Sequence, residues 1–224
     1  LNDLEIGGSF SNKNIIFEAN IYNMDYTNQL VLNGAVNDVG AYNRVNVKKS
    51  YRRGIELQAA VNLTKYFTLS GNVTFSKNKI KNYVEFLDSA SVDWSVYKQM
   101  EIKYAESDIS FSPNITGCGI VTFRASKLLE LSIINKYVGR QYLDNTSNVN
   151  RSISPYSVMD IKLTSTIKTK WIEEITFMVS VNNVLSTKYE TNGYTFSYYT
   201  DTTLNTFNYL APAAPFNVLG GVSL

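Results

Sequence analysis

Phe67-Thr68-Leu69-Ser70-Gly71-Asn72-Val73-Thr74-Phe75-Ser76 decides the fold. Phe67, Leu69, Gly71, Val73 and Phe75 fall on one side of an extended chain, and Thr68, Ser70, Asn72, Thr74 and Ser76 on the other. Alternation at every second residue marks a β-strand with one apolar and one polar face. The preceding stretch repeats it, with Ile55, Leu57, Ala59, Val61 and Leu63 against Glu56, Gln58, Ala60 and Asn62. So do Met159, Ile161, Leu163 and Ile167 against Asp160, Lys162, Thr164 and Thr166, and Ile175, Phe177, Val179 and Val181 against Thr176, Ser180 and Asn182. The residues are largely β-branched or aromatic, as strands prefer. No segment carries a helical period.

Working outward, the pattern predicts about nine strands, near residues 2–10, 15–33, 51–64, 66–78, 106–124, 129–141, 156–168, 174–191 and 213–224. The connections alternate. Those at Ser11–Asn14, Lys65, Ala125–Leu128 and Thr169–Glu173 are short, whereas Gly34–Ser50, Lys79–Ala105, Tyr142–Pro155 and Asn192–Pro212 are long. A soluble β-sandwich shares the period of two but has no reason to gather its long loops at one end. A transmembrane barrel does, because its turns are short on one side of the membrane and long on the other. Several strands also exceed the roughly 9–11 residues that a tilted strand needs to cross a bilayer. Tyr22, Tyr26, Tyr51, Tyr66, Tyr83, Tyr137, Tyr142 and Tyr156 sit near strand ends, where bilayer barrels carry aromatic girdles. Single-chain bacterial barrels have even strand counts and cannot leave an open edge in lipid. Nine strands, with the chain entering the first at once, therefore point to part of a larger barrel.

Composition narrows the function. The 224 residues carry 21 Lys and Arg against 19 Asp and Glu, a net charge of +2 that gives no footprint for nucleic acid. Charged residues are 18% of the chain, below the roughly 25% of a soluble domain. There is no His, which removes Ser-His-Asp and Cys-His catalysis and most zinc chemistry, and the single Cys118 pairs with nothing inside the chain. Glu173-Glu174 in a short turn reads as solvated charge rather than a catalytic pair. We expect no enzyme, metal site or cofactor. Leu1–Phe10 lacks the basic start and apolar core of a signal peptide, a segment that processing would have removed in any case.

Several stretches resemble the C-terminal part of the barrel of TonB-dependent outer-membrane receptors, of the kind common in Bacteroidetes. They are Asn23-Met24-Asp25-Tyr26-Thr27-Asn28-Gln29-Leu30-Val31-Leu32, Asn37-Asp38-Val39-Gly40-Ala41-Tyr42-Asn43-Arg44, Ser50-Tyr51-Arg52-Arg53-Gly54-Ile55-Glu56-Leu57, Phe111-Ser112-Pro113-Asn114-Ile115, Val181-Asn182-Asn183-Val184-Leu185 with Lys188-Tyr189-Glu190, and the closing Leu219-Gly220-Gly221-Val222-Ser223-Leu224. They run through nearly the whole chain in the family's order. The departure is Leu224, where an outer-membrane barrel usually ends on an aromatic residue. The resemblance implies an all-β fold: a transmembrane antiparallel β-barrel of 22 strands, of which residues 1–224 form the C-terminal segment without the plug domain. It implies a receptor in the bacterial outer membrane that takes up a scarce nutrient such as a ferric siderophore, haem or cobalamin. The implied partners are lipid, the chain's own N-terminal plug and remaining strands, the TonB complex and a surface lipoprotein. A passive porin or adhesin barrel, or a soluble β-sandwich binding domain, is the alternative.

Candidate ligand-binding residues lie on the long loops, where a solute would first land. They are Tyr42, Asn43 and Arg44; Trp94 and Tyr97, beside Glu85, Asp88 and Asp93; and Tyr198 and Tyr199, near Tyr194 and Phe196. Aromatic and polar groups together suit a bulky chelate or ring system, with ordinary loop packing as the competing explanation. Glu56, Gln58, Asn62, Asp160 and Lys162 fall on the polar face, where they would line the lumen or touch the plug.

Overall fold

The computed structural model describes residues 1–33 and 37–224 in full. The first three residues of the connection expected from Gly34 lie outside the described residues. Among the described residues there are fourteen strands and no helix: β1 (Asn2–Ser11), β2 (Ile15–Val36), β3 (Tyr42–Asn62), β4 (Phe67–Ala90), β5 (Tyr97–Asp108), β6 (Ile115–Ser126), β7 (Leu129–Val138), β8 (Gln141–Tyr142), β9 (Ser152–Ile153), β10 (Tyr156–Ile167), β11 (Ile175–Asn182), β12 (Glu190–Thr200), β13 (Thr203–Pro212) and β14 (Asn217–Ser223). The expected count of about nine corresponds to one continuous antiparallel wall, in the order β1-β2-β3-β4-β6-β7-β10-β11-β14. The other five strands lie mostly in what the pattern assigns to long loops, though β5, β8 and β12 also take the ends of expected strands at 106–108, 141 and 190–191, and β3 begins at Tyr42, inside the expected connection Gly34–Ser50. β5 pairs with the upper half of β4, β12 and β13 form a hairpin, and β8 and β9 form a separate two-stranded piece. The physical reason lies in the sequence above the wall. Lys77-Asn78-Lys79-Ile80-Lys81-Asn82 continues β4, yet it has no apolar face because it stands above the hydrocarbon layer.

Register explains why the wall is stable in two solvents. Residues paired across strands share a face. One row runs Ile15, Val61, Leu69, Val121, Ile133, Ile161, Val181 and Val218, apolar across eight strands. A second runs Ile6, Ile21, Ile55, Phe75 and Ile115. These side chains are not packed against a second sheet: Ile6 is 68% exposed, Ile21 58% and Val218 54%. A β-sandwich would bury them, so the soluble alternative fails. On β4 the apolar run from Phe67 to Phe75 spans eight steps, about 26 Å along the strand, which at a tilt near 40° covers about 20 Å of the roughly 25 Å band of an outer-membrane barrel. Two polar groups, Asn135 and Ser157, face outward in this band, and the 3.0 Å bond that Ser157 Oγ donates to Asn135 Oδ1 offsets the cost of placing both against hydrocarbon.

The short-turn end is closed by side-chain oxygens that mimic backbone turns. Asn12 Oδ1 accepts from Asn14 N and Ile15 N at 2.8 Å, and Thr64 Oγ1 from Tyr66 N and Phe67 N at 3.1 Å. Ser126 Oγ accepts from Leu128 N, and Thr169 Oγ1 from Ile172 N. The other end folds into a body with its own core of Val31, Val47, Ile80, Tyr83 and Ile109, with Tyr104 against it. The tyrosine girdle expected from strand ends is only partly there. Tyr51 and Tyr137 share the face of the apolar rows, but Tyr22, Tyr26 and Tyr156 share the polar face and Tyr83 is buried. Tyr22 has a separate job: a Cβ on Gly54 would sit 2.5 Å from its hydroxyl, so the ring covers the position that glycine leaves bare.

Candidate ligand site at the long-loop end

β4 reaches far beyond the wall, and its tip pairs in parallel with β12, Tyr199 against Ser89 and Thr200 against Ala90. This contact joins two loops distant in sequence. Between them lies a cavity of about 330 Å³, lined by Asp88, Ser89, Ala90, Trp94, Tyr97, Phe196, Tyr198 and Tyr199. Trp94 and Tyr198 have ring centroids 6.2 Å apart, Phe196 and Tyr198 5.5 Å, and Tyr198 stacks on Phe207 at 6.2 Å. Trp94 and Tyr97 are each 65% exposed, so their faces are free to take a ligand. Four of the seven expected loop residues thus converge. The other three do not join them. Tyr42 opens β3 and its hydroxyl lies 2.7 Å from Asn192 Oδ1 and 2.9 Å from the Gly193 carbonyl, tying β3 to the base of the hairpin, and Asn43 and Arg44 follow it along that strand.

Trp94 is held by a small polar turn. Its φ of 59° is left-handed, an unfavourable conformation for so bulky a residue. The turn is pinned by Asp93, whose Oδ1 accepts from Ser91 Oγ at 2.5 Å, from Ser95 N at 3.1 Å and from Ser95 Oγ at 2.8 Å. The Ser91 and Ser95 bonds hold the Asp93 carboxyl down at about 2. Strain of this kind, stored at an exposed aromatic, is typical of binding sites. On the rim, the Asp88 carboxylate bonds the Tyr97 phenol and raises its pKa.

Beneath the cup is a polar cleft of about 270 Å³, whose lining includes Tyr83, Glu85, Asp144, Arg151, Thr195 and Phe196. Arg151, 2% exposed, bonds both Glu85 and, at 3.0 Å, Asp144 through Nη1. Tyr104 donates to Glu85 at 2.8 Å. Burial pushes the Tyr83 phenol up to about 12, and burial with the Glu85 bond raises Tyr104 as well. Asn145, fully buried, donates to the Leu32 carbonyl at 2.6 Å and accepts from Ser110 N at 2.9 Å, fastening the 139–155 segment to β2. Neither Arg151 nor Asn145 stands out in the sequence, because their partners lie 66 and 113 residues away. Among the described residues no group of His, Cys, Asp and Glu could hold a metal ion.

On the wall, Glu56, Gln58, Asn62, Asp160 and Lys162 all share the polar face. Glu56 stands in the row Gly7, Asn20, Glu56, Thr74, Thr116, Val138 and Tyr156, and Gln58 in the row Ser9, Glu18, Gln58, Asn72, Cys118 and Lys136. These two rows form a polar trough lined by Glu18, Asn20, Glu56, Gln58, Asn72 and Thr74. Asn62 accepts from Thr68 near the short turns. Asp160 accepts from Asn183 N at 2.7 Å and so caps the end of β11. Lys162 lies between Ser132 and Ser180.

A one-sheet wall with a lipid-facing apolar side, a polar side and a loop-built cup at one end defines a transmembrane β-barrel of the outer-membrane receptor kind. The sequence of residues 2–184 matches the family model for the TonB dependent receptor-like β-barrel, and the chain belongs to that family. Members of this family are outer-membrane transport receptors, not enzymes; they carry a plug domain and work with TonB. No curated protein matches the chain in sequence. Among solved structures, the fold is similar to the siderophore receptor PiuA of Acinetobacter baumannii (17% identity, TM-score 0.65) and to BauA, the ferric preacinetobactin receptor of the same organism (15%, 0.64). It is also similar to the ferric yersiniabactin uptake receptor FyuA of Yersinia pestis (15%, 0.62). Each likeness covers 98% of this chain and 28% of the other, so the chain spans little more than a quarter of the structures it matches.

Proposed function

We propose that residues 1–224 are the C-terminal segment of the barrel of an outer-membrane active-transport receptor, and that the cup of Trp94, Tyr97, Phe196, Tyr198 and Tyr199 is part of its outer ligand site. The ligand is a scarce nutrient with a flat ring system, and an iron chelate is the class that the names of the structural neighbours support. The observation that carries this is the convergence of exposed aromatics from two distant loops at the end of the wall opposite the short turns. That end faces outside, because short turns face the periplasm. The polar trough of Glu18, Glu56, Gln58 and Asn72 then faces the lumen, where it meets the plug and the passing solute. TonB supplies the energy through the plug. The outer leaflet surrounds the apolar rows, and a surface lipoprotein would cover the loop body.

The test is nutrient-limited growth of cells carrying the full-length gene, with labelled iron chelates, haem and cobalamin supplied in turn. Uptake should be saturable for one of them and abolished when the proton-motive force is collapsed. Trp94→Ala with Tyr198→Ala should weaken surface binding about tenfold to a hundredfold, as loss of paired aromatic anchors does. Energy-independent leakage of small sugars into cells would support a passive porin instead.

A further inference from the structure

Between the last apolar row and the loop body, the lipid-facing side of the wall carries a cluster of cations. The cross-strand rows read Asn23, Arg53, Lys77; then Asp25, Tyr51, Lys79, Asp108; then Thr27, Lys49, Lys81, Glu106. Five cations thus meet three carboxylates. Tyr51 sits at the centre, with the Arg53 guanidinium 4.4 Å from its ring centroid, Lys81 Nζ at 5.6 Å and Lys77 Nζ at 5.9 Å. Arg53 reaches Asp25 at 3.4 Å, Lys77 reaches Glu106 at 3.7 Å and Lys79 reaches Asp108 at 2.9 Å. That accounts for every carboxylate in these rows. Lys49 and Lys81 remain exposed, are direct cross-strand partners, and form no ion pair among the described residues. Like charges placed directly opposite each other destabilise a sheet. An anion between them removes the repulsion.

The height of the cluster says which anion. Lys77 lies two residues beyond Phe75, and Lys81 six. At about 3.3 Å per residue and a tilt near 40°, these positions stand roughly 5 Å and 15 Å above the apolar band. Lysine stems lie along apolar surface and drop their charge toward the interface. The cluster therefore spans the phosphate level of the adjoining leaflet. We infer that Lys49, Arg53, Lys77 and Lys81 bind the phosphate groups of an anionic lipid in the outer leaflet, a headgroup bearing more than one phosphate, with Tyr51 as the platform that holds the cations in place. The inference rests on the outer-membrane reading, since that fixes which leaflet the cluster adjoins.

The experiment is native mass spectrometry of the full-length receptor in detergent, with three probes: bisphosphorylated lipid A, its dephosphorylated form, and inorganic phosphate. The receptor should retain the bisphosphorylated lipid and shed the other two, with binding that weakens as salt rises. Lys49→Gln with Lys81→Gln should lower its affinity about thirtyfold, since each cation near an anionic surface contributes about a factor of five. Lys168→Gln, in a short turn at the other end, should leave it unchanged. Equal retention of the dephosphorylated lipid, or an unaffected double variant, would overturn the inference, and tight binding of inorganic phosphate would overturn the lipid as occupant. Insertion into lipid vesicles, followed by heat-resistant electrophoretic mobility, separates the two levels. A receptor that inserts but ignores the cluster refutes only this inference, whereas one that never inserts refutes the membrane reading beneath it.

Discussion

Arginine placed at Val73 and at its neighbour Asn72 gives the sharpest test of which side of the wall meets lipid. Val73 shares a row with Leu57 and Gly117, on the apolar face, and Asn72 shares one with Gln58 and Cys118, on the polar face. The middle of the β4 apolar run is Gly71, so Val73 lies two residues, about 5 Å in depth, from the centre of the band. Arginine on the lipid face costs about 2–4 kcal/mol at the midplane and 0–1 at the interface, which places Val73→Arg near 2–3 kcal/mol. At Asn72 the new guanidinium enters a trough already holding Glu18 and Glu56, and the cost should stay below about 1 kcal/mol. The assay is a urea titration of the full-length receptor folding into thin-bilayer vesicles, read by heat-resistant mobility on gels. Equal midpoint shifts for the two variants, or a larger shift for Asn72→Arg, would refute the assignment of faces and the transport function built on it.

Gly54→Ala should destabilise the wall by about 1–3 kcal/mol in the same titration, because a Cβ there meets Phe75 O and Tyr22 Oη at 2.5 Å, whereas Gly119→Ala, with open space around it, should be neutral. Arg151→Met should loosen the loop body by about 3–5 kcal/mol, since it leaves Glu85 and Asp144 buried without their cation; hydrogen exchange should quicken across residues 139–155 while the wall stays protected. The turn that presents Trp94 should melt in acid. The Asp93 carboxyl is held down at about 2, so its contribution is fully present above the ordinary value of 3.8 and is lost as the pH falls through about 2. Trp94 fluorescence in a Trp171→Phe background should report that transition, and Asp93→Asn should abolish it.

How much of this was legible in the sequence depends on what each residue faces. Where one side of a strand meets lipid and the other meets water, the pattern is forced, and Phe67–Ser76 or Ile55–Leu63 can be assigned residue by residue. Above the band both faces meet water or other loops, so β4 beyond Ser76, β5, β12 and β13 leave no alternation to find. Tyrosine was the misleading signal: the ring suits a headgroup girdle, but at Tyr22 it also suits the polar face, where a glycine on the next strand leaves room for it. In the site, exposed aromatics such as Trp94 and Tyr198 declared themselves by type, while their meeting depends on a two-residue parallel contact at Ser89 and Ala90 that no local pattern encodes. The Arg151 cluster was hidden for the same reason.

The length of β4 has a mechanical side. One unbroken backbone carries Asn72 and Thr74 at the inner trough and Ser89 and Ala90 at the rim of the cup, with β3 and β6 gripping its lower half and β5 and β12 its upper half. Its one left-handed residue is Asn82, at φ 54°, between the two halves. If the cup takes the ligand proposed above, a tug on it would either be absorbed by rotation at that joint or be passed down the strand to the trough, and the backbone at a single asparagine would decide between the two.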